Sequence, residues 1–326
     1  MKINSAGVVL AYYREKYKLT LEQVCDGICS GSTLSRLENG NRCVDFLTSS
    51  LLLERIGKTV SQFEQLLNDA DYELWMARES IQKNMRLKNF AQVQKELFQY
   101  RAKADTAPEL QEQFCLYQEI QMQLTELENS RTGQQERQDQ QEKVCKTAMR
   151  ALQLTKPAYV SGSFEKNQLY TTVEVELILL LIHYGVYQSI AQAEEILLDL
   201  FQHVEYYDSE RRKQEQGSRI LMELIGLAQR HQDMDKVLEY IDRGIGYVVQ
   251  GRELAGLDRL RFLRAQTLRI QYGEGALTDS AKRREIQEEC LMAYSICEIF
   301  GEREGMNQIE RFCKEELGWQ ITGLAM

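Results

Sequence analysis

At 326 residues the chain is about twice as long as a typical domain, so it has room for two units, or for one small domain and an extended array. Hydrophobic residues make up 43% and charged residues 27%; with only Pro108 and Pro157 and little β-branched alternation, the turn punctuation of an all-β fold is missing and an all-α chain is predicted. The formal net charge of −9 excludes a cationic coat for nucleic acid along the whole length. The acidity is uneven, however: residues 1–68 hold eight Lys/Arg against seven Asp/Glu, and the remainder holds 32 against 42.

Met1 to Lys18 is too polar for a secretory signal. The most apolar run, Val173 to Tyr187, is short and carries Glu174 and Glu176, so no membrane association is predicted and a cytoplasmic location is expected. Eight cysteines fall mostly inside apolar helical patterns and form no CxxC, which reads as reduced, buried thiols with no metal site. Cys25 and Cys29 flank a predicted turn, with Cys43 nearby, and a redox role for them stays open.

Residues 6–68 divide into five short helical patterns. Thr20-Leu21-Glu22-Gln23 has the form of a capping box, in which the threonine hydroxyl accepts an amide three residues on and the glutamine reaches back, so a helix is predicted to start at Thr20. Ser61 to Glu64 repeats that form and opens the last helix of the group. Between them, Asp26 to Ser30 supplies a glycine and a small polar cap suited to a tight inter-helix turn. In the next segment, Ser30 to Asn39, Leu34 and Leu37 face inward and leave Gly31, Ser32, Ser35 and Arg36 outside. A helix start of small hydroxylic residues approaches a DNA groove closely, and Gly40 ends the segment as a left-handed cap.

From Leu10 through Leu67, with Arg14, the LTLEQV segment and STLSRLENG, the sequence resembles the xenobiotic-response-element family of helix-turn-helix domains, related to lambda-type repressors. The resemblance implies a five-helix lambda-repressor-like domain over residues 1–68. It also implies a structural pair between Arg14 and Glu38, base reading by Ser30, Gly31, Ser32 and Arg36 with Thr33 beside them, and phosphate contacts near Thr20, Asn39 and Arg42. Two positions depart from the family pattern: Leu21 stands where a phosphate-binding glutamine is common, and Gly31 has no side chain to read a base. Arg36, the only cation on that face, is the candidate for guanine recognition; a solvated surface charge is its plainer alternative.

Residues 69–326 read as helix after helix, with breaks near Leu87 to Asn89, Thr106 to Pro108, Thr132-Gly133, Ala158 to Ser163, Gln188-Ser189 and Gln232-Asp233. Thr106 to Glu109 and Ser189 to Gln192 are further capping boxes. The segments from Asn89, Ser189 and Asp233 share an apolar second residue, a small or branched fifth and a large apolar ninth. That order resembles the second helix of tetratricopeptide repeats, which implies a right-handed helical solenoid; HEAT-like pairs are the competing description. Val173 to Tyr184 is apolar nearly all round, as a helix covered on both sides must be. The functional alternative is that Ile178 and Ile182 floor a peptide groove, with Asn167, Tyr170, Arg219 and Met222 around it.

The arrangement as a whole resembles the peptide-pheromone-responsive regulators of Gram-positive bacteria, the Rgg and PlcR-type family. This implies a transcriptional regulator of the quorum-sensing kind, a homodimer through its repeats, whose repeat domain binds a short signalling peptide and whose N-terminal domain binds double-stranded DNA. A repeat-based adaptor, and a DNA-binding regulator without a peptide, are the alternatives. No phosphate loop, HExxH or GxSxG motif occurs, and His183, His203 and His231 fall on separate predicted helices, so neither an enzyme nor a cofactor is expected.

Overall fold

The computed structural model describes residues 6–58, 69–103, 107–129, 133–160, 168–207, 210–251 and 256–321. Among them the secondary structure is all helical, as predicted, and the chain divides into two compact units, Met1–Ser209 and Glu210–Met326. No helix among the described residues is long and apolar enough to cross a membrane.

The first unit opens with α1 (Ala6–Lys16), α2 (Leu21–Cys25), α3 (Gly31–Glu38) and α4 (Phe46–Arg55). The predicted fifth helix of this group, with its Ser61 box, lies outside the described residues. These helices are too short to hold together by backbone bonding alone. They close instead around Leu10, Leu19, Val24, Ile28, Leu34, Leu37, Leu52, Leu53 and Ile56. Leu110 and Leu169, from far along the chain, complete the same cluster, so this core is continuous with the rest of its unit. Gly7 permits the closest approach within it: a Cβ there would lie 2.0 Å from the Leu37 carbonyl oxygen.

The unit continues with α5 (Asp69–Arg86), α6 (Phe90–Lys103), α7 (Pro108–Asn129), α8 (Gln134–Gln153), α9 (Pro157–Val160), α10 (Thr172–His183) and α11 (Ile190–Tyr207). α5 packs on α6, α7 on α8, and α10 against both α8 and α11. The all-round apolar helix is thus covered as its composition requires, with Val175, Leu177, Leu179 and Leu181 all buried. Thr171 caps it through a full capping box with Glu174.

The second unit holds α12 (Glu210–Arg230), α13 (Met234–Gln250), α14 (Leu257–Tyr272), α15 (Gly275–Thr278), α16 (Ser280–Phe300) and α17 (Arg303–Leu317). Neighbours pack in sequence, α12 on α13, α13 on α14, α14 on α16 and α16 on α17. The internal sequence similarity is structural. Phe90, Ile190 and Met234 are the first residues of α6, α11 and α13. Val93, Ala193 and Val237, then Leu97, Leu197 and Ile241, occupy matching buried places in those helices. Of the two later capping boxes, the one at Thr106 lies outside the described residues. At the other, the Gln192 amide donates to Ser189 Oγ at 3.2 Å while its side chain accepts from the Gln188 N–H, one residue before the predicted partner.

Candidate nucleic-acid interface

The site is built on α2, α3 and the turn between them. Thr20 starts α2 as predicted: its hydroxyl accepts the Gln23 N–H at 3.1 Å, and the Gln23 side chain accepts the Thr20 N–H at 2.8 Å. The turn is held from outside. Gly27 sits at φ +68°, and a Cβ on it would come within 1.7 Å of the Thr155 carbonyl oxygen, so only glycine fits between α2 and the residues ahead of α9. Asp26 beside it accepts from Lys156 Nζ at 3.0 Å.

Ser30 then caps α3. Its hydroxyl accepts the Thr33 N–H at 3.2 Å and lies 2.9 Å from the hydroxyls of both Ser32 and Thr33. Arg42 Nη1 donates to Thr33 Oγ1 at 3.4 Å, drawing the segment after α3 toward its front end. Leu34 and Leu37 are buried, whereas Ser30, Ser32, Arg36, Asn39 and Arg42 are exposed, with Gly31 and Thr33 partly so. Thr20 is exposed as well. Gly40 ends the element at φ +70°, the left-handed cap the sequence predicts, and Asn39 Nδ2 ties back to the Ser35 carbonyl at 2.8 Å.

Behind this surface Arg14 forms a two-point pair with Glu38, Nε to Oε1 at 2.7 Å and Nη2 to Oε2 at 2.8 Å, and its Nη1 donates to the Leu19 carbonyl at 3.2 Å. Hydrogen bonding to Glu38 raises the Arg14 pKa further above its ordinary value. One arginine thus ties α1 to the end of α3 and to the residue that precedes the cap of α2.

The eight sequence-predicted DNA-contact residues fall on one short stretch of α2, α3 and the following loop. One neighbour escaped the sequence reading: among the described residues, Glu22 Oε1 is the only atom within 4 Å of a Cβ built on Gly31, at 3.7 Å, which sets a carboxylate beside the front of α3. A hydrogen-bond acceptor of that kind suits the amino group of cytosine.

The predicted peptide residues are placed differently. Asn167 lies outside the described residues. Ile178 and Ile182 are 0% exposed, enclosed by the neighbours of α10, and have no surface to offer a groove. Tyr170 is buried too, its hydroxyl donating to Asp199 Oδ2 at 3.1 Å. Arg219 and Met222 are exposed on α12 of the second unit. An open concavity of 420 Å3 does occur in the first unit across α6, α7 and α8, with Leu97, Phe98 and Met122 as apolar lining and Gln94, Arg101 and Lys143 among its polar groups.

A short capped helix, a turn fixed by glycine and a second short helix with its front edge exposed define a helix-turn-helix domain, a class that places its second helix in the major groove. Residues 10–63 match the family model described as Helix-turn-helix. No curated protein matches the chain. Among solved structures it is similar to PlcR of Bacillus thuringiensis, crystallised in complex with the peptide PapR7 and DNA, with 14% identity and a TM-score of 0.47 over 94% of this chain and 99% of that one. It is also similar to ComR from Streptococcus suis, with 13% identity and a TM-score of 0.39 over 97% and 96% of the two chains. The apo form of ComR from S. thermophilus gives 15% identity and a TM-score of 0.31 over 94% and 97%.

Proposed function

We propose that this chain is a sequence-specific transcriptional regulator that reads duplex DNA with the front of α3 and is gated by a short peptide. The observation that carries the DNA-binding part is the exposure of Ser30, Ser32 and Arg36 on a helix whose opposite side is fixed by Leu34, Leu37 and the Arg14–Glu38 pair. Arg36 supplies the fork that matches the acceptor edge of guanine. Thr20, Asn39 and Arg42 are placed for phosphates, and Gly31 and Thr33 let the backbone approach the groove. Homodimers would present two such helices to half-sites one helical turn, or a multiple of it, apart.

For the peptide, the concavity across α6 to α8 is the better-supported surface: it combines an exposed Phe98 with hydrogen-bonding groups and charges of both signs, Arg101 and Lys143 beside Glu119 and Glu126, a mixture that suits an extended backbone and its side chains. PlcR was crystallised with a peptide and with DNA, which agrees with this reading. Selection of bound duplexes from a random pool, followed by footprinting at two salt concentrations, tests the DNA reading. Calorimetry against apolar peptides of five to ten residues tests the gate, and a regulator without a peptide ligand would show DNA binding and no heat.

A further inference from the structure

The turn of the helix-turn-helix carries a feature that DNA reading does not use. α2 ends at Cys25, and Cys29 immediately precedes Ser30, the cap of α3. The Cys29 N–H donates to the Cys25 carbonyl at 3.0 Å, so the two residues span a single helix-like turn. That bond closes a tight turn through Gly27 at φ +68° and draws the two cysteine backbones together, and a disulfide forms where such a pair brings its Cβ atoms to roughly 4 Å. Cys25 is buried, and Cys29 is partly exposed at the surface of the turn. Both sulfurs belong to free thiols, and both residues pack on the same core.

We propose that Cys25 and Cys29 form a dithiol oxidation site, closed to an intrachain disulfide by a peroxide, and that closure weakens DNA binding by displacing the cap of α3. Hydrogen bonding between the two thiols lowers the pKa of Cys25 and raises that of Cys29, so the first proton leaves from Cys25. The pair therefore releases its first proton early and its second late, and one thiolate supported by its neighbour is the reactive form. The accessible Cys29 sulfur meets the peroxide first. As its proton passes to the Cys25 thiolate, the Cys29 sulfur attacks one oxygen of hydrogen peroxide, the O–O bond breaks, and the departing hydroxide takes that proton back from Cys25 to leave as water. Cys25 sulfur then displaces hydroxide from the sulfenic acid, giving the S–S bond and a second water. The two thiols lose two electrons and two protons, and one peroxide is reduced to two waters.

The turn cannot absorb this closure by shifting as a whole, because Gly27 abuts the Thr155 carbonyl. Movement of Cys29 toward Cys25 is passed to Ser30, whose hydroxyl organises Ser32 and Thr33. A second close thiol pair, Cys290 and Cys313, is fully buried in the second unit and serves as an internal control.

The oxidation stands independently of the proposed function, whereas its effect on DNA rests on it. The full chain is treated with hydrogen peroxide, alkylated after unfolding and cut with trypsin; residues Leu19 to Arg36 form one peptide holding both cysteines, and Cys43 falls on a separate peptide, Cys43 to Arg55. That peptide is expected to lose two hydrogen masses and to resist alkylation, while Cys290 and Cys313 are alkylated. Alkylation of both Cys25 and Cys29 after peroxide would overturn the proposal. In a parallel retardation assay with a duplex selected from a random pool, oxidation is expected to weaken binding roughly tenfold, reversibly by dithiothreitol. Cys29→Ala and Cys25→Ala are each expected to bind like the reduced protein whether or not peroxide is added. A disulfide that left retardation unchanged would overturn the control of binding, and a reduced protein that bound no duplex would instead overturn the DNA-binding reading.

Discussion

Arg55 Nη2 donates to Glu174 Oε1 at 2.9 Å, and neither side chain has any exposed surface. Arg55 ends α4 of the helix-turn-helix; Glu174 lies in the first turn of α10, where its other oxygen accepts the Thr171 N–H at 2.7 Å and completes the capping box. One carboxylate thus starts a central helix and fixes the DNA-binding helices to it. Removing one member leaves a buried charge without its partner, so Arg55→Ala is expected to destabilise the protein by about 3–5 kcal/mol. The double replacement Arg55→Met with Glu174→Leu, which removes both charges and keeps the volume, is expected to recover most of that loss. Urea denaturation of the three proteins measures both effects.

The same cluster sets a pH dependence with two opposite senses. Burial pushes the Glu174 carboxyl up, but Arg55, Lys156 and the hydrogen bond from Thr171 outweigh it and hold it below the ordinary 4.5. Its stabilising share is complete above pH 4.5 and is lost as pH falls through its lowered folded value. The stability gap between wild type and Glu174→Gln should therefore be widest near neutrality and narrow in acid. For Lys156, burial and then Arg55 lower the pKa from 10.5. The cost of keeping it charged is full below its folded value and is relieved as pH rises toward 10.5. Relative to Lys156→Met, the wild type should gain stability on that alkaline side, as denaturation series at several pH values would record.

Two glycines of the site should respond in opposite ways to the same substitution. Gly27→Ala forces a Cβ into the Thr155 carbonyl at a positive φ and is expected to cost at least about 2 kcal/mol. Among the described residues a Cβ added at Gly31 would meet nothing nearer than Glu22 Oε1 at 3.7 Å, and Gly31→Ala is expected to shift stability by no more than about 1 kcal/mol in either direction. Thermal denaturation separates them. A longer side chain at Gly31 should leave the fold intact and change which duplexes are selected.

Much of this architecture was legible because its signals are side-chain chemistry. The Thr20 box, the Ser30 cap and the breaks before Phe90, Ile190 and Met234 each follow from residues that satisfy free amides or fix a helix end, whereas the Arg14–Glu38 pair was implied by the family resemblance alone. Less was legible after Asp233. There Gly256, Gly273 and Gly301 shape the breaks with positive φ, α14 and α17 start without a side-chain cap, and a lone glycine among 20 is a weaker mark. The Arg55–Glu174 pair joins residues 119 apart in sequence, and periodicity carries no information on such contacts. Placing Ile178 and Ile182 in a groove failed for the same kind of reason: an apolar helix shows that it is covered, but not by what.

Arg42 and Arg36 should differ in how their loss is felt. Arg42→Ala removes a cation proposed to contact phosphate, so binding is expected to weaken similarly on every duplex and the salt slope to fall by about 1. Retardation at a series of salt concentrations reads this directly.

The most direct test of the whole account compares wild type with Arg36→Ala on the selected duplex and on unrelated DNA. The account predicts a loss of about 1–3 kcal/mol on the selected duplex, with little change on unrelated DNA. Equal binding of both proteins to every duplex would contradict it.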